Sequence, residues 1–337
     1  MDDFAKLAPS DRRDIIAEAA IGMGLDLTIV EKDFWVCWTL RSLFSLPSGQ
    51  ASMVFKGGTS LSKAYGLIQR FSEDIDVVTD VNFYLARGIE DPETASSRTQ
   101  QLERMDSLDV ACANYIGGDL TILLRKYFAE RLGTDTGWDL LLDPLDRYAH
   151  TLLFRYPISA PDVEHSYIRG RVKIELGWRS TTAPSESRTF KPYVADRFSN
   201  LIGEPEVTCS VLLPARTFWE KVTALHAESF RDVVPHFFSR HYSDVAELIE
   251  TEVGRAASRD VAMLDEVRKF KQTYYPAAWA HYDRAAPGSL KIIPSDEKVR
   301  VLISDYRDMR MMFFREPPPF GTILDRLRAL ERQINGV

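Results

Sequence analysis

Two aspartates one residue apart, Asp74 and Asp76, lie on a run from Phe71 to Val78 that reads as a strand. Side chains on a strand alternate faces, so residues i and i+2 project the same way, about 6–7 Å apart. Two carboxylates on one face suit a hard divalent cation; Mg²⁺ usually takes one or two carboxylates, water and substrate phosphate oxygens. Upstream, Phe55-Lys56-Gly57-Gly58-Thr59-Ser60 ends a short apolar run in a double glycine. Glycine permits positive φ and close backbone approach to a ligand, and successive amides at a helix start form an anion site. Thr59 and Ser60 add hydroxyl donors. Ser72 can either donate to a phosphate oxygen or serve as the turn before the strand, and Lys56 and Arg70 are nearby cations with the same ambiguity. The expected chemistry is transfer at a nucleoside triphosphate (NTP), with the triphosphate between the Gly57-Gly58 turn and a metal on Asp74 and Asp76. Asp-x-Asp alone equally describes the polar face of an edge strand. Its conjunction with Gly-Gly-Thr-Ser across one predicted helix is what points to a site.

Two metal ions would require a third carboxylate, because they must bridge the attacking and leaving oxygens. Glu175, between Ile174 and Leu176 on a predicted strand, is the candidate. Simple alternation with a solvent-facing side explains it as readily. Arg169, Arg171 and Lys173 alternate along the same strand, and Arg179, Arg188 and Lys191 follow, as a local basic patch or a solvated face.

The elements that must position these residues follow from periodicity. Residues 10–21 have helical spacing with Ser10 as a plausible cap, and 28–45 form a second helix with Thr28 as cap and Glu31 completing a capping box. Residues 51–79 read as strand, glycine turn, helix from Thr59 to Gln69, and strand. Residues 82–100 are polar and loop-like, and 103–131 are helical with an interruption near Gly117-Gly118. Strands are expected at 150–158, 168–178 and 207–213, with loosened polar chain at 181–192 and 203–206. From Thr217 onward the pattern is helical: 216–228, 235–252, 258–272, 295–312 and 321–334, with Pro317-Pro318-Pro319 separating the last two. The expected fold class is α+β, a mixed sheet flanked by helices over 1–205, then a mostly helical domain over 206–337 that contributes to the active site.

Composition limits the alternatives. The formal charge of −7 argues against a chain that coats nucleic acid indiscriminately. Cys37, Cys112 and Cys209 are single and scattered, against a disulfide framework or zinc site. No apolar run reaches membrane-spanning length, and the acidic N-terminus is unlike a secretory signal, so a cytoplasmic protein is expected. The six histidines, including His165, show no useful metal-ligand spacing, and no nucleophile elbow is present. Tyr274, Tyr275, Trp279 and Tyr282 could stack bases, but at helical spacing they read as core or a helix contact.

Gly57-Gly58, then Asp74-x-Asp76 and a later strand carboxylate, resemble the DNA polymerase β-like nucleotidyltransferase superfamily. More narrowly, Phe55 to Tyr65 with Arg70 to Asp76, and Glu31-Lys32-Asp33-Phe34-Trp35-Val36 upstream, resemble the AbiEii/AbiGii toxin family. That family includes toxins of AbiE-type abortive-infection and MenT-type (type IV) toxin–antitoxin systems. The resemblance implies a nucleotidyltransferase fold, Mg²⁺, transfer of NMP from NTP to an acceptor such as a tRNA 3′ end, and a cognate antitoxin. It also implies that Lys221, in Phe218 to His226, contacts the NTP phosphates. Asp244, in Arg240-His241-Tyr242-Ser243-Asp244, would assist the acceptor or orient that lysine. Lys32 and Asp33 would brace the nucleotide domain. Protein NMPylation or γ-phosphate transfer would fit the same site, and a nucleotide-binding regulator without catalysis is the rival from another class.

Overall fold

The computed structural model describes residues 1–134, 136–159 and 169–337; His165 and Ile168, the expected first residue of a strand, lie outside them. Contacts divide the chain into two compact units. One comprises Met1–Ala64 and Ser72–Leu212, the other Tyr65–Phe71 and Leu213–Val337.

The first unit is built on seven strands among the described residues: β1 Met53–Lys56, β2 Ile75–Thr79, β3 Asp139–Leu142, β4 Thr151–Arg155, β5 Arg171–Gly177, β6 Ser185–Phe190 and β7 Val207–Leu212. Their order is β3-β4-β5-β2-β1-β7-β6. The pairs β1–β7 and β2–β5 are parallel and the others antiparallel, so the sheet is mixed and the fold α+β. β5 alternates without a break, with Val172, Ile174 and Leu176 buried and Arg171, Lys173 and Glu175 partly open. The helix Leu27–Phe44 is buried along almost its whole length and packs on β5 and β7. Trp35, Trp38, Phe128 and Phe154 meet in edge and stacked contacts of 4.8–5.9 Å. Each such ring removed from water contributes about 2–3 kcal/mol, which makes this helix the anchor of the sheet.

Several local expectations change. The helix Pro9–Met23 is capped at Ala8 with Pro9 at its first turn, so Ser10 lies inside it. Leu27–Phe44 is capped by Asp26, whose carboxylate accepts from the Thr28 amide; Glu31 forms no capping box and bonds Ser159 instead. No helix runs from Thr59 to Gln69. A short turn, Gly57–Thr59, passes into a wide π-turn, Ser60–Ala64. Near Gly117-Gly118 the chain stays helical, again through a π-turn, Ile116–Leu120. The 82–100 stretch holds the short helix Asn82–Leu85 and the start of Arg98–Tyr115. The polar 181–192 stretch contains β6, exposed at the sheet edge, where apolar patterning is not required.

The second unit is helical. Pro214–Ser229, Ser239–Leu248, Val261–Tyr274, Asp296–Asp308 and Phe320–Asn335 are its longer elements, with the shorter Glu252–Ala257 between. The excursion Tyr65–Phe71 joins it through backbone bonds: Phe71 N–H donates to Met312 and Phe314 N–H to Gln69. Met309 and Met312 are core residues here.

Candidate active site

In the sheet unit the glycine turn and the acidic strand are in contact. Gly57 has φ +78°, and a Cβ added there would lie 2.0 Å from Oδ2 of Asp76. Any other residue would therefore be strained and would push Asp76 aside, so this approach needs glycine. The π-turn that follows is tied to the acidic segment. The Thr59 hydroxyl hydrogen-bonds the Asp74 carbonyl and lies 2.9 Å from Ser72 Oγ. A hydroxyl has one proton and a carbonyl can only accept, so Thr59 donates to Asp74 and Ser72 donates to Thr59. Ser60 donates to the Gly57 carbonyl at 2.9 Å. These three hydroxyls thus hold the turn against the start of β2, and Thr59 and Ser60 are fully buried.

Register completes the group. Asp76 on β2 is directly opposite Glu175 on β5 and directly opposite Lys56 on β1. Opposed residues share a face of the sheet, so all three side chains project together. Burial and then the nearby Glu175 carboxylate raise the Asp76 carboxyl well above the usual carboxylate range; Lys56 offsets only part of this. Asp74 sits one residue before β2, and Lys173 forms an ion pair with Glu175. Two facing carboxylates are a hard oxygen donor set, which fits a divalent ion. Among the described residues no three His, Cys, Asp or Glu side chains form a ready metal cage. Mg²⁺ rarely uses one, completing its shell with water and substrate phosphates. Asp74, Asp76 and Glu175 are the residues that would hold it.

Three consecutive charges on the helix Leu27–Phe44 brace this arrangement from below. Glu31 accepts from Ser159 N–H, Lys32 pairs with Glu73, and Asp33 pairs with Lys63 at 2.8 Å. Asp33 also accepts from the Tyr193 amide, and the Lys63 ammonium lies 3.6 Å from the centre of the Tyr193 ring. One helix thereby clamps both the residue before Asp74 and the far end of the glycine turn. Buried pairs of this kind contribute geometry more than stability. In sequence Lys173 reads as part of a basic patch or a solvated face, and Glu73 and Lys63 carry no role of their own, because the latter two take their meaning from partners distant in the chain.

In the helical unit Lys221 and Asp244 meet. Lys221 Nζ lies 2.9 Å from Asp244 Oδ2 and 3.5 Å from His241 Nδ1. Arg70 grips the same carboxylate with two parallel bonds, Nε to Oδ1 at 2.7 Å and Nη2 to Oδ2 at 2.8 Å. Burial alone would raise the Asp244 carboxyl; Arg70 and Lys221 outweigh it and hold the group far below the carboxylate range. Burial lowers Lys221, with Arg70 and Arg240 acting the same way against Asp244. Burial and then Lys221 hold His241 neutral, so its Nδ1 accepts from the Lys221 ammonium. One carboxylate, Asp244, serves two buried cations, Arg70 and Lys221, with Arg240 and the Glu247 carboxylate close by; an arginine and a lysine gathered in this way are the side chains that recognise phosphate. Arg70 was an ambiguous cation in sequence; its role is defined by Asp244. Of the aromatic residues considered for base stacking, Tyr274 is buried, and Trp279 is partly exposed beneath the Arg231 guanidinium.

A family model described as "Nucleotidyl transferase AbiEii toxin, Type IV TA system" matches residues 38–326. Among solved structures, MenT4, a nucleotidyltransferase toxin from Mycobacterium tuberculosis H37Rv, aligns over 94% of this chain and 98% of that one, at 17% identity and a TM-score of 0.46. No curated protein matches in sequence.

Proposed function

The chain belongs to the AbiEii family of nucleotidyltransferase toxins of type IV toxin–antitoxin systems, and from that premise we propose a Mg²⁺-dependent transfer of NMP from an NTP to the 3′ end of an RNA, with tRNA the favoured acceptor. The observation that carries the catalytic reading is Asp76, seated against the Gly57 turn and opposite Glu175 in register. Asp74, Asp76 and Glu175 would hold the metal, which would supply charge neutralisation at the phosphate oxygens.

The backbone of the Gly57-Gly58 turn binds the phosphates, with Thr59, Ser60 and Ser72 keeping its shape. The acceptor hydroxyl oxygen forms a bond to the α-phosphorus as the bond to the β-bridging oxygen breaks, and pyrophosphate leaves. The hydroxyl proton is released to solvent water as the new bond forms. Lys221 and Arg70, a lysine and an arginine, are side chains suited to phosphate oxygens of the nucleotide or of the acceptor strand. A cognate antitoxin protein is the expected partner, and no helix among the described residues is long and apolar enough to cross a membrane.

The test is incubation of the purified protein with each NTP, labelled at the α- or γ-phosphate, with Mg²⁺ and total cellular RNA. α-Label on RNA, lost with chelator and in Asp76→Asn, is the expected result. α-Label on protein would replace RNA by a protein acceptor, and transfer of γ-label would make the enzyme a phosphotransferase. Undiminished toxicity of both Asp76→Asn and Lys221→Ala would remove catalysis from the function altogether.

A further inference from the structure

The strand register places a lysine inside the carboxylate group. Asp76 on β2 is opposite Glu175 on β5, and Lys173 lies two residues before Glu175 on the same face of that strand. Asp74, one residue before β2, completes a group of three acids and one lysine. The Lys173 ammonium is paired with Glu175 and interacts with Asp74 as well. Leu153, opposite Lys173 on β4, is buried and offers its aliphatic stem an apolar flank. On the other side of Asp76 stands Lys56.

We propose that Lys173 is a built-in counter-cation for Glu175, standing where a second divalent ion would sit, so that the carboxylate group takes up one divalent ion and not two. The inference rests on the reading that Asp74 and Asp76 hold a divalent cation. It deepens that reading by giving the number of ions and the residue that sets it. Side-chain exposures of 37% for Lys173 and 41% for Glu175 make their pair a weak contributor to stability, so its role is one of charge. A second divalent ion beside Glu175 would be repelled by the ammonium already there. With Lys173 removed, the full acidic group becomes available to it. Lys173 is on this view a positioning residue that fixes Glu175.

Counting ions in the nucleotide-free full chain tests this without an activity readout. Mn²⁺ is titrated and followed by electron paramagnetic resonance and calorimetry. The expected results are one Mn²⁺ per wild-type chain, none in Asp76→Asn, two in Lys173→Met, and one in Lys173→Arg. In Lys173→Met the first ion should also bind about tenfold tighter, since a nearby unit charge in a partly screened site has been removed. Two ions in the wild type, or a Lys173→Met protein still binding one ion with wild-type affinity, overturns the role given to Lys173 and leaves the metal reading standing. No Mn²⁺ in the wild type, or an ion retained by Asp76→Asn, removes the metal reading and this inference together. Circular dichroism checks each variant, and Lys173→Gln replaces Lys173→Met if the latter does not fold. Label transfer to RNA is scored separately, so a chain that counts ions as expected but transfers nothing fails only as a nucleotidyltransferase acting on RNA.

Discussion

In the sheet unit three acids, Asp74, Asp76 and Glu175, gather with Lys56 and Lys173; in the helical unit one buried carboxylate, Asp244, is gripped by two cations, Arg70 and Lys221. Both groups concentrate charge, with opposite results. The acidic group raises the proton affinity of Asp76, and the basic group depresses that of Asp244. The acidic group therefore gains by binding a cation. They also differ in internal satisfaction. Asp244 is fully paired by two cations, whereas Asp76 has an unfavourable carboxylate neighbour and only partial relief from Lys56. Breaking the basic group should therefore destabilise the fold, while the acidic group opposes folding until its ligand arrives.

The sharpest way to break this contrast is to neutralise one acid in each unit. Asp76→Asn should reduce nucleotidyl transfer by about 10³-fold or more, through loss of charge stabilisation at the phosphates. Its metal-free thermal midpoint should not fall. Asp244→Asn should destabilise the fold by about 3–5 kcal/mol, because Arg70 and Lys221 are left buried without their carboxylate. Denaturant unfolding of both variants measures the difference, and equal stabilities would erase it. Gly57→Ala comes next. Strain at φ +78° and the collision with Asp76 should reduce transfer by about 10²-fold, as a misplaced catalytic group does, and cost about 1–2 kcal/mol. Near wild-type kinetics in that variant would separate the turn from the acidic strand.

The smallest effect is the pH dependence of the metal-free protein. The folded-state pKa of Asp76 lies above its unfolded value, toward about 8. The folded state therefore binds the extra proton, and stability from this group is present near pH 4 and lost as pH rises toward 8. Asp244 has the opposite sign: its contribution is present above the ordinary carboxylate pKa and lost only in strong acid. Thermal midpoints from pH 4 to 8 should show a decline that Asp76→Asn removes and saturating Mn²⁺ reverses. A decline of equal size in Asp76→Asn would assign it elsewhere.

The helix Leu27–Phe44 shows how far local patterning carries. Its apolar content and position are legible, yet its cap is Asp26 and not Thr28, and Glu31, Lys32 and Asp33 turn inward to Ser159, Glu73 and Lys63. A buried charge cannot be told from an exposed one by its identity. Only the partner that neutralises it decides. The segment after Gly57-Gly58 has helical spacing but becomes a tight turn and a π-turn, because Tyr65–Phe71 pairs with the chain at 312–314 in the other unit's interior.

Asp74, Asp76 and the Gly57-Gly58 turn were legible in sequence alone, since glycine's freedom at positive φ acts over a few residues and needs no partner, whereas the strand expected from Phe71 begins only at Ile75 and leaves Asp74 just outside it. The placement of Glu175 and Lys173 beside those aspartates was decided by the β2–β5 register, and the meeting of Arg70 with Asp244, 174 residues away, by packing of the helical unit. Periodicity records which side of an element is buried. It carries no record of which distant element lies against it, and that is where charge pairing and hence the character of each site are set.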